Sequence, residues 1–485
     1  MRILFVSAEV VPFAKTGGLA DVAGAIPSAL RALGNDVAVI MPYYQSARQK
    51  FADRVADTGL RLSAPLGAET HTAALLRTTL PGSDVPVYLV DHPPFYDRPQ
   101  LYGTPAGDYP DNAERFIFFS RAVLAATRAL NWAPDIYHCN DWQAALVPVY
   151  LRAAHSADRF YHNSHSILTI HNLAYQGVFP REAFALTGLD WSHFTWRELE
   201  FYGKLNLLKG GLVAADLLTT VSRRYAKEIQ TREYGCGLEG VLADRSAHLH
   251  GIINGIDYTV WDPATDPYLP APYSPDDLAG KAVCKRKVQE LSGLPPRDVP
   301  LLGIVSRLDE QKGLDLVASI LPNLVELDTQ FVLLGTGKQS LQDLFADFAR
   351  RYPRHVAAHL TFSNELAHQI EAGCDMYLMP SRYEPCGLNQ LYSLRYGTAP
   401  IVRKTGGLAD TITNCTPTSL AKGTANGFSF ETYAAPALLH AVRRALRLYS
   451  NPRAWRRLIQ TGMRQDWSWN KSAREYQALY LKVHS

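Results

Sequence analysis

The 485-residue sequence contains no CxxC pair among its six cysteines. Scattered thiols at Cys139, Cys236, Cys284, Cys374, Cys386 and Cys415 read as reduced, and they exclude a disulfide frame or a zinc ribbon. His162 and His165 have no third ligand in register, so no metal is expected. No apolar run reaches membrane-spanning length, which excludes helical insertion in a bilayer. The start, MRILFVSAEV, enters a β-like run with no charged leader or cleavage site, so the expectation is a cytoplasmic protein or a mature form whose targeting peptide is absent. Net charge is only +3 at pH 7, too little to draw nucleic acid. A G-x-G-x-x-G after the first strand is missing, which disfavours a dinucleotide dehydrogenase. LLGTGKQS fails as a P-loop, because Val332 stands at the first glycine and Gln339 at the Ser/Thr position. GxSxG and HExxH are absent too, removing the standard hydrolase and zinc-protease routes.

What remains is an ordinary globular composition, 47% apolar and 20% charged, with strand-like runs alternating with helical ones. RILFVSA, DVAVIMP, VPVYLVD, PDIYHCN, SILTIHN and LLTTVS read as strands of a first half. LLGIVS, TQFVLLG, MYLMPS and APIVRK read as strands of a second. Helical patterns such as DVAGAIPSALRALG, AERFIFFSRAVLAATRAL, LDLVASILPNLVEL and NELAHQIEAG separate them. The pattern predicts an α/β protein of two Rossmann-like, doubly wound lobes over 1–250 and 251–460. INGIDYTVWDPATDPYLPAPYSPDD, rich in Pro, Asp and Gly, reads as the linker between them. The amphipathic end, 461–485, packs back across the first lobe or caps the second.

KTGGLAD occurs twice, at Lys15–Asp21 and Lys404–Asp410. The first copy follows the first strand of lobe one and the second follows a late strand of lobe two. A copied domain would have placed the repeat after LLGIVS, so two loops with similar demands explain it better. Each is a strand-to-helix loop whose paired glycines serve tight turn packing or close approach of backbone to ligand, and two such loops at strand carboxyl ends favour a ligand cleft.

Other motifs stand at comparable loops. SRLDEQKG offers Arg307 and Lys312, a fork and a point charge suited to a diphosphate, or ordinary solvated basic residues. Gly335 and Gly337 in LLGTGKQS would let the chain pass close to a nucleotide. Glu384 in SRYEPCGLNQLY could meet sugar hydroxyls or positive charge at an anomeric carbon, or simply cap a helix. Asp141 in HCNDW and His171 in TIHNLAYQG end two strands of lobe one. Cys386 is a redox thiol or, more simply, a small buried residue.

Taken in order, KTGGLADVAGAIP, HCNDW, IHNLAYQG, INGIDYTVWDP, SRLDEQKG, SRYEPCGLNQLYSLRYGT, the second TGGLAD and WSWNKSAREYQALY resemble the bacterial glycogen synthase and plant starch synthase family over nearly the whole chain. The resemblance implies a GT-B fold, with two lobes facing a cleft that closes on substrate. It implies transfer of glucose from ADP-glucose to the non-reducing end of an α-1,4-glucan, with retention of configuration and no metal or other cofactor. It places Lys15 and Gly18 near the donor phosphates and the reacting sugar, and Asn254 by the donor sugar. Arg307 and Lys312 take the leaving diphosphate, and Glu384 supports the transition state. Asp141 and His171 line the acceptor side. Cys386, Gly387, Leu388 and Asn389 border the donor, with Thr405, Gly406 and Gly407 at its phosphate and sugar end. Asn389 stands where many relatives carry Thr, and Phe362 where a tyrosine that stacks on adenine is often found. Competing readings are a UDP-glucose-dependent glucosyltransferase and a non-catalytic glucan-binding protein.

Overall fold

The computed structural model describes residues 1–104, 106–153 and 158–484. The chain divides into two compact units, Met1–Asn254 with Trp469–Ser485, and Gly255–Ser468. The segment that reads as a linker belongs to the second unit. Trp261 stacks between His368 and Tyr392 at 3.7 and 3.8 Å, and Asp266 accepts hydrogen bonds from Tyr396 Oη and pairs with His368 Nδ1. Low periodicity hid a segment held by single anchored side chains.

The strands of unit 1 are β1 (Arg2–Val6), β2 (Asp36–Pro42), β3 (Ala56–Leu66), β4 (Glu69–Thr79), β5 (Pro86–Asp91), β6 (Gly103–Thr104), β7 (Gly107–Asp108), β8 (Ile136–Asn140), β9 (His165–Ile170), β10 (Val178–Phe179), β11 (Glu200–Phe201), β12 (Lys204–Asn206), β13 (Leu217–Thr220) and β14 (Leu249–Gly251). Nine form one sheet in the order β14-β13-β9-β8-β1-β2-β5-β4-β3. The seven from β14 to β5 run parallel, while β4 and β3 add an antiparallel edge. Central strands such as RILFV are buried along almost their whole length, because helices cover both faces of a parallel sheet. In β3 buried and exposed residues alternate toward its end, as expected of a half-solvated edge. The helix Trp469–His484 belongs to this unit and buries Trp469, Tyr476 and Tyr480. Tyr480 Oη lies 2.6 Å from Nδ1 of His138, whose Nε2 meets Thr169 Oγ1 at 2.6 Å.

Unit 2 contains β15 (Leu301–Val305), β16 (Gln330–Leu334), β17 (Val356–His359), β18 (Met376–Met379), β19 (Ala399–Arg403) and β20 (Phe428–Phe430). They form an all-parallel sheet in the order β17-β16-β15-β18-β19-β20. Both units therefore wind outward in two directions from a central pair, β1 with β8 and β15 with β18. Loops that leave such a pair diverge and open a crevice at the strands' carboxyl ends, the usual ligand position of open α/β sheets.

Candidate active site

In unit 2 the crevice lies between the loops after β15 and β18. Val305 closes β15, and Tyr377 of β18 engages both its groups. The Val305 amide donates to Tyr377 Oη at 2.8 Å, and that hydroxyl donates to the Val305 carbonyl at 2.9 Å. Asn389 Nδ2 donates to the same carbonyl at 2.8 Å and to Tyr377 Oη at 2.5 Å. The amide nitrogen of Asn389 is thus committed to the floor of the crevice, and only its Oδ1 remains for other partners.

Above this floor, Lys312 Nζ lies 2.8 Å from Glu384 Oε2 and 3.0 Å from Oε1. Ser381 Oγ donates to Oε2 at 2.9 Å. The Glu384 side chain is 7% exposed and that of Lys312 20%, so the pair is largely shielded and each charge depends on the other. Arg307 is exposed beside Asp309, at 3.3 Å. Phe362 is 88% exposed, an unusual place for a large apolar ring. Cys386, Gly387 and Leu388 run from Glu384 to the helix Asn389–Arg395; Cys386 is buried and its carbonyl accepts from Gln390 Nε2 at 3.0 Å.

The glycines of these loops serve packing of loop on loop. A Cβ on Gly406 would stand 1.9 Å from the Glu384 carbonyl oxygen, and one on Gly407 2.0 Å from that of Cys386. Gly406 also holds a φ of +44°, strained for any side chain. The Gly407 amide then donates to the Glu384 carbonyl at 3.1 Å. Gly335 and Gly337 likewise press on the Ser306 and Leu308 carbonyls. The sequence suggested close approach of backbone to a nucleotide; the structure shows that these glycines also lie against neighbouring backbone, and Thr405 beside them is buried. Sequence alone shows that a tight contact is required, not with what.

The first KTGGLAD copy lives in the opposite environment. Lys15 to Gly18 are exposed, and nothing lies within 4 Å of a Cβ placed on Gly17. Lys15 Nζ pairs with Asp21 at 2.6 Å. Beneath the loop lies Glu9, only 4% exposed, which sequence reasoning missed. Its carboxylate accepts from the Thr16 amide and hydroxyl at 2.6 Å each, from the Gly17 amide at 3.2 Å and from Tyr102 Oη at 2.8 Å. A lone carboxylate in the apolar run SAEVVPF was the available signal; for Tyr102 the sequence held none. Glu9 takes the two amides that precede the helix Gly18–Ala32, leaving Lys15 and the Gly18 turn to face outward.

Asp141 follows β8 with a φ of +54°, outside the favoured regions for a side-chain-bearing residue, and such strain concentrates at functional sites. Burial raises its pKa from 3.8 to about 7, with the Glu9 charge adding to the rise and the His171 amide opposing it. That amide donates to Asp141 Oδ1 at 2.7 Å. The His171 ring meets Asn140 Oδ1 through Nε2 at 2.9 Å. Because Asn140 Nδ2 donates to the Val6 and His138 carbonyls, its Oδ1 must accept, which fixes the proton on Nε2 and leaves Nδ1 as an acceptor. Burial lowers the His171 pKa to about 3, so the ring is neutral. Asn254 closes the first segment of the unit with a buried Oδ1 that has no hydrogen-bond partner among the described residues. Among the described residues no three His, Cys, Asp or Glu side chains gather as a metal site. No described helix is long and apolar enough to cross a membrane.

The structure therefore brings Lys312, Glu384, Arg307, Asn389 and the Gly406–Gly407 turn around one crevice of unit 2. In unit 1 it places Lys15, Gly18, Asp141 and His171 on loops after β1, β8 and β9.

The family profile described as starch synthase catalytic domain matches residues 2–244, and that of glycosyl transferases group 1 matches 288–461. The chain is 49% identical over 484 residues to a glycogen synthase of Koribacter versatilis, covering 100% of this chain and 98% of the relative. It is 50% identical over 483 residues to a glycogen synthase of Anaeromyxobacter dehalogenans, covering 99% of each. The catalytic domain of starch synthase IV from Arabidopsis thaliana, bound to ADP and acarbose, superposes with a TM-score of 0.90 at 33% identity over 99% of both chains. Two Rossmann-like units, the matched profiles and full-length identity near one half together make the chain a member of the glycogen and starch synthase family of GT-B glycosyltransferases.

Proposed function

We propose that the protein transfers glucose from ADP-glucose to the non-reducing end of an α-1,4-glucan, with retention at the anomeric carbon and without a metal, in glycogen synthesis in the cytoplasm. The observation that carries this reading is the shielded Lys312–Glu384 pair at the switch point of unit 2, with the exposed Arg307 on the same loop as Lys312. Lys312 and Arg307 supply the positive charge that a departing diphosphate needs, work that a bound cation does elsewhere. The exposed ring of Phe362 offers a face for the adenine. The ADP bound in the Arabidopsis relative supports the choice of nucleotide. On unit 1, Lys15 and Gly18 approach the phosphates and the reacting sugar. The Asn254 oxygen receives a donor-sugar hydroxyl, and the His171 Nδ1 and Asp141 receive the hydroxyls of the acceptor.

Retention follows from front-face displacement, in which the leaving phosphate takes the proton of the attacking hydroxyl. Lys312 and Ser381 aim the Glu384 carboxylate, and on this reading its charge supports the positive charge that develops at the anomeric carbon. Incorporation of radiolabelled glucose into glycogen, from ADP-glucose and UDP-glucose in parallel with EDTA present, tests the reading. Strong incorporation from ADP-glucose is expected. Preference for UDP-glucose overturns the donor, sensitivity to EDTA overturns metal independence, and trapping of a glycosyl-enzyme overturns the front-face mechanism.

A further inference from the structure

Glu384 has its main chain fixed and its side chain aimed by separate means. The main chain is wedged, because Gly406 and Gly407 press on the Glu384 and Cys386 carbonyls, and Gly313 presses on that of Pro380. The carboxylate is aimed by two donors, Lys312 Nζ and Ser381 Oγ. These donors differ in kind. Lys312 carries a long flexible stem and a full charge, and on the donor reading proposed above an incoming diphosphate competes for it. Ser381 is 1% exposed, sits on the short segment between β18 and Glu384, and has one torsion to set. It cannot follow a ligand.

We propose that Ser381 is a positioning residue for the transfer: it tethers Glu384 Oε2 while Lys312 turns to the diphosphate, so that Oε1 is released toward the donor sugar with the carboxylate still aimed. The ammonium moves between two anions and no covalent bond changes. Without the tether, the loss of Lys312 to the phosphates would leave Glu384 to rotate about its own side-chain torsions at the moment its charge is needed. The tether matters to the transition state rather than to binding of the donor. Its removal therefore lowers kcat and leaves KM for ADP-glucose nearly unchanged.

A double-mutant cycle tests this. Ser381→Ala is expected to lower kcat about 10- to 100-fold, the range for a lost hydrogen bond to a charged group, with KM for ADP-glucose within about twofold. In a Glu384→Ala background the same change is expected to cost less than about twofold, because there is nothing left to aim. An equal kcat penalty in both backgrounds overturns the proposal, as does a Ser381→Ala enzyme with half or more of the wild-type kcat. Should Ser381→Ala fail to fold, Ser381→Cys conserves the site with a weaker donor. A kcat several-fold below wild type then supports the tether, and an unchanged kcat refutes it. The proposal rests on the ADP-glucose reading and falls with it if the wild type transfers no glucose from that donor. That outcome is distinct from an active wild type that tolerates Ser381→Ala.

Discussion

Substitution of one alanine into each KTGGLAD copy separates their roles. In Gly407→Ala the new Cβ meets the Cys386 carbonyl oxygen at 2.0 Å and its carbon at 2.6 Å. Ordinary contact lies near ~3.5 Å, so one loop must retreat by more than an ångström. Both partners are buried main chain, which cannot swing aside as a side chain can. Overpacking of this kind costs about 1–3 kcal/mol. For a unit the size of Gly255–Ser468 each kcal/mol lowers Tm by roughly 2–4 °C, so a fall of roughly 2–12 °C is expected in its transition. The displaced segment carries Glu384, and misplacement of a reacting group by ~1 Å costs about 10²-fold in rate. Gly17→Ala enters open space at an extended φ of −151°, where a helix-cap glycine yields to alanine for less than ~1 kcal/mol. Its Tm should stay within ~2 °C and any defect should appear in KM. Calorimetry with glucose incorporation on both variants checks this. A Gly407→Ala enzyme with wild-type Tm and rate would refute the interlocked-loop account, and equal destabilisation by both variants would refute the contrast.

Phe362→Ala should leave Tm unchanged, since the ring is exposed, and raise KM for ADP-glucose roughly 5- to 10-fold, as loss of one stacked base does; steady-state kinetics decide. Asp141→Asn should cut kcat about 100-fold, while urea midpoints at pH 8 hold or rise, because a buried carboxylate raised to about 7 is ionised there at a cost. Glu371 is buried and accepts a hydrogen bond from Ser393 Oγ at 2.6 Å, and burial raises its pKa from 4.5 to about 8. A carboxyl raised in the folded state stabilises fully below its unfolded pKa, and that stability is lost as pH rises through the folded value. Stability of unit 2 should therefore fall by a few kcal/mol, roughly, between pH 5 and 9, and Glu371→Gln should flatten the slope in urea titrations at several pH values.

The fold class was legible because buried parallel strands write themselves as short apolar runs: DVAVIMP coincides with β2 and NELAHQIEAG with the helix Asn364–Gly373. The edge pair β3 and β4 escaped notice, since SAPL and ETHTAALL alternate weakly between small and polar residues. β17 and β20, VAAH and FSF, are short and lack the apolar run that made the equally short β18, MYLM, visible. Glu384 and Lys312 stood out by motif, yet their mutual pairing is a contact across 72 positions that no local pattern encodes. Glu9 shows the converse. A carboxylate that satisfies four donors looks, in sequence, like an interruption in an apolar run.

The helix Trp469–His484 has a consequence for the order in which the protein can be made. The ribosome delivers Met1–Asn254, then all of Gly255–Ser468, and only afterwards the helix that supplies Trp469, Tyr476 and Tyr480 to the first unit. At roughly 5–20 residues per second, the half-built unit waits roughly 10–40 s with the slot beside His138 uncovered. During that interval His138 lacks the Tyr480 hydroxyl, and the apolar surface that Trp469, Tyr476 and Tyr480 cover faces solvent. Unit 2 has no such debt and can close first, although it is translated second.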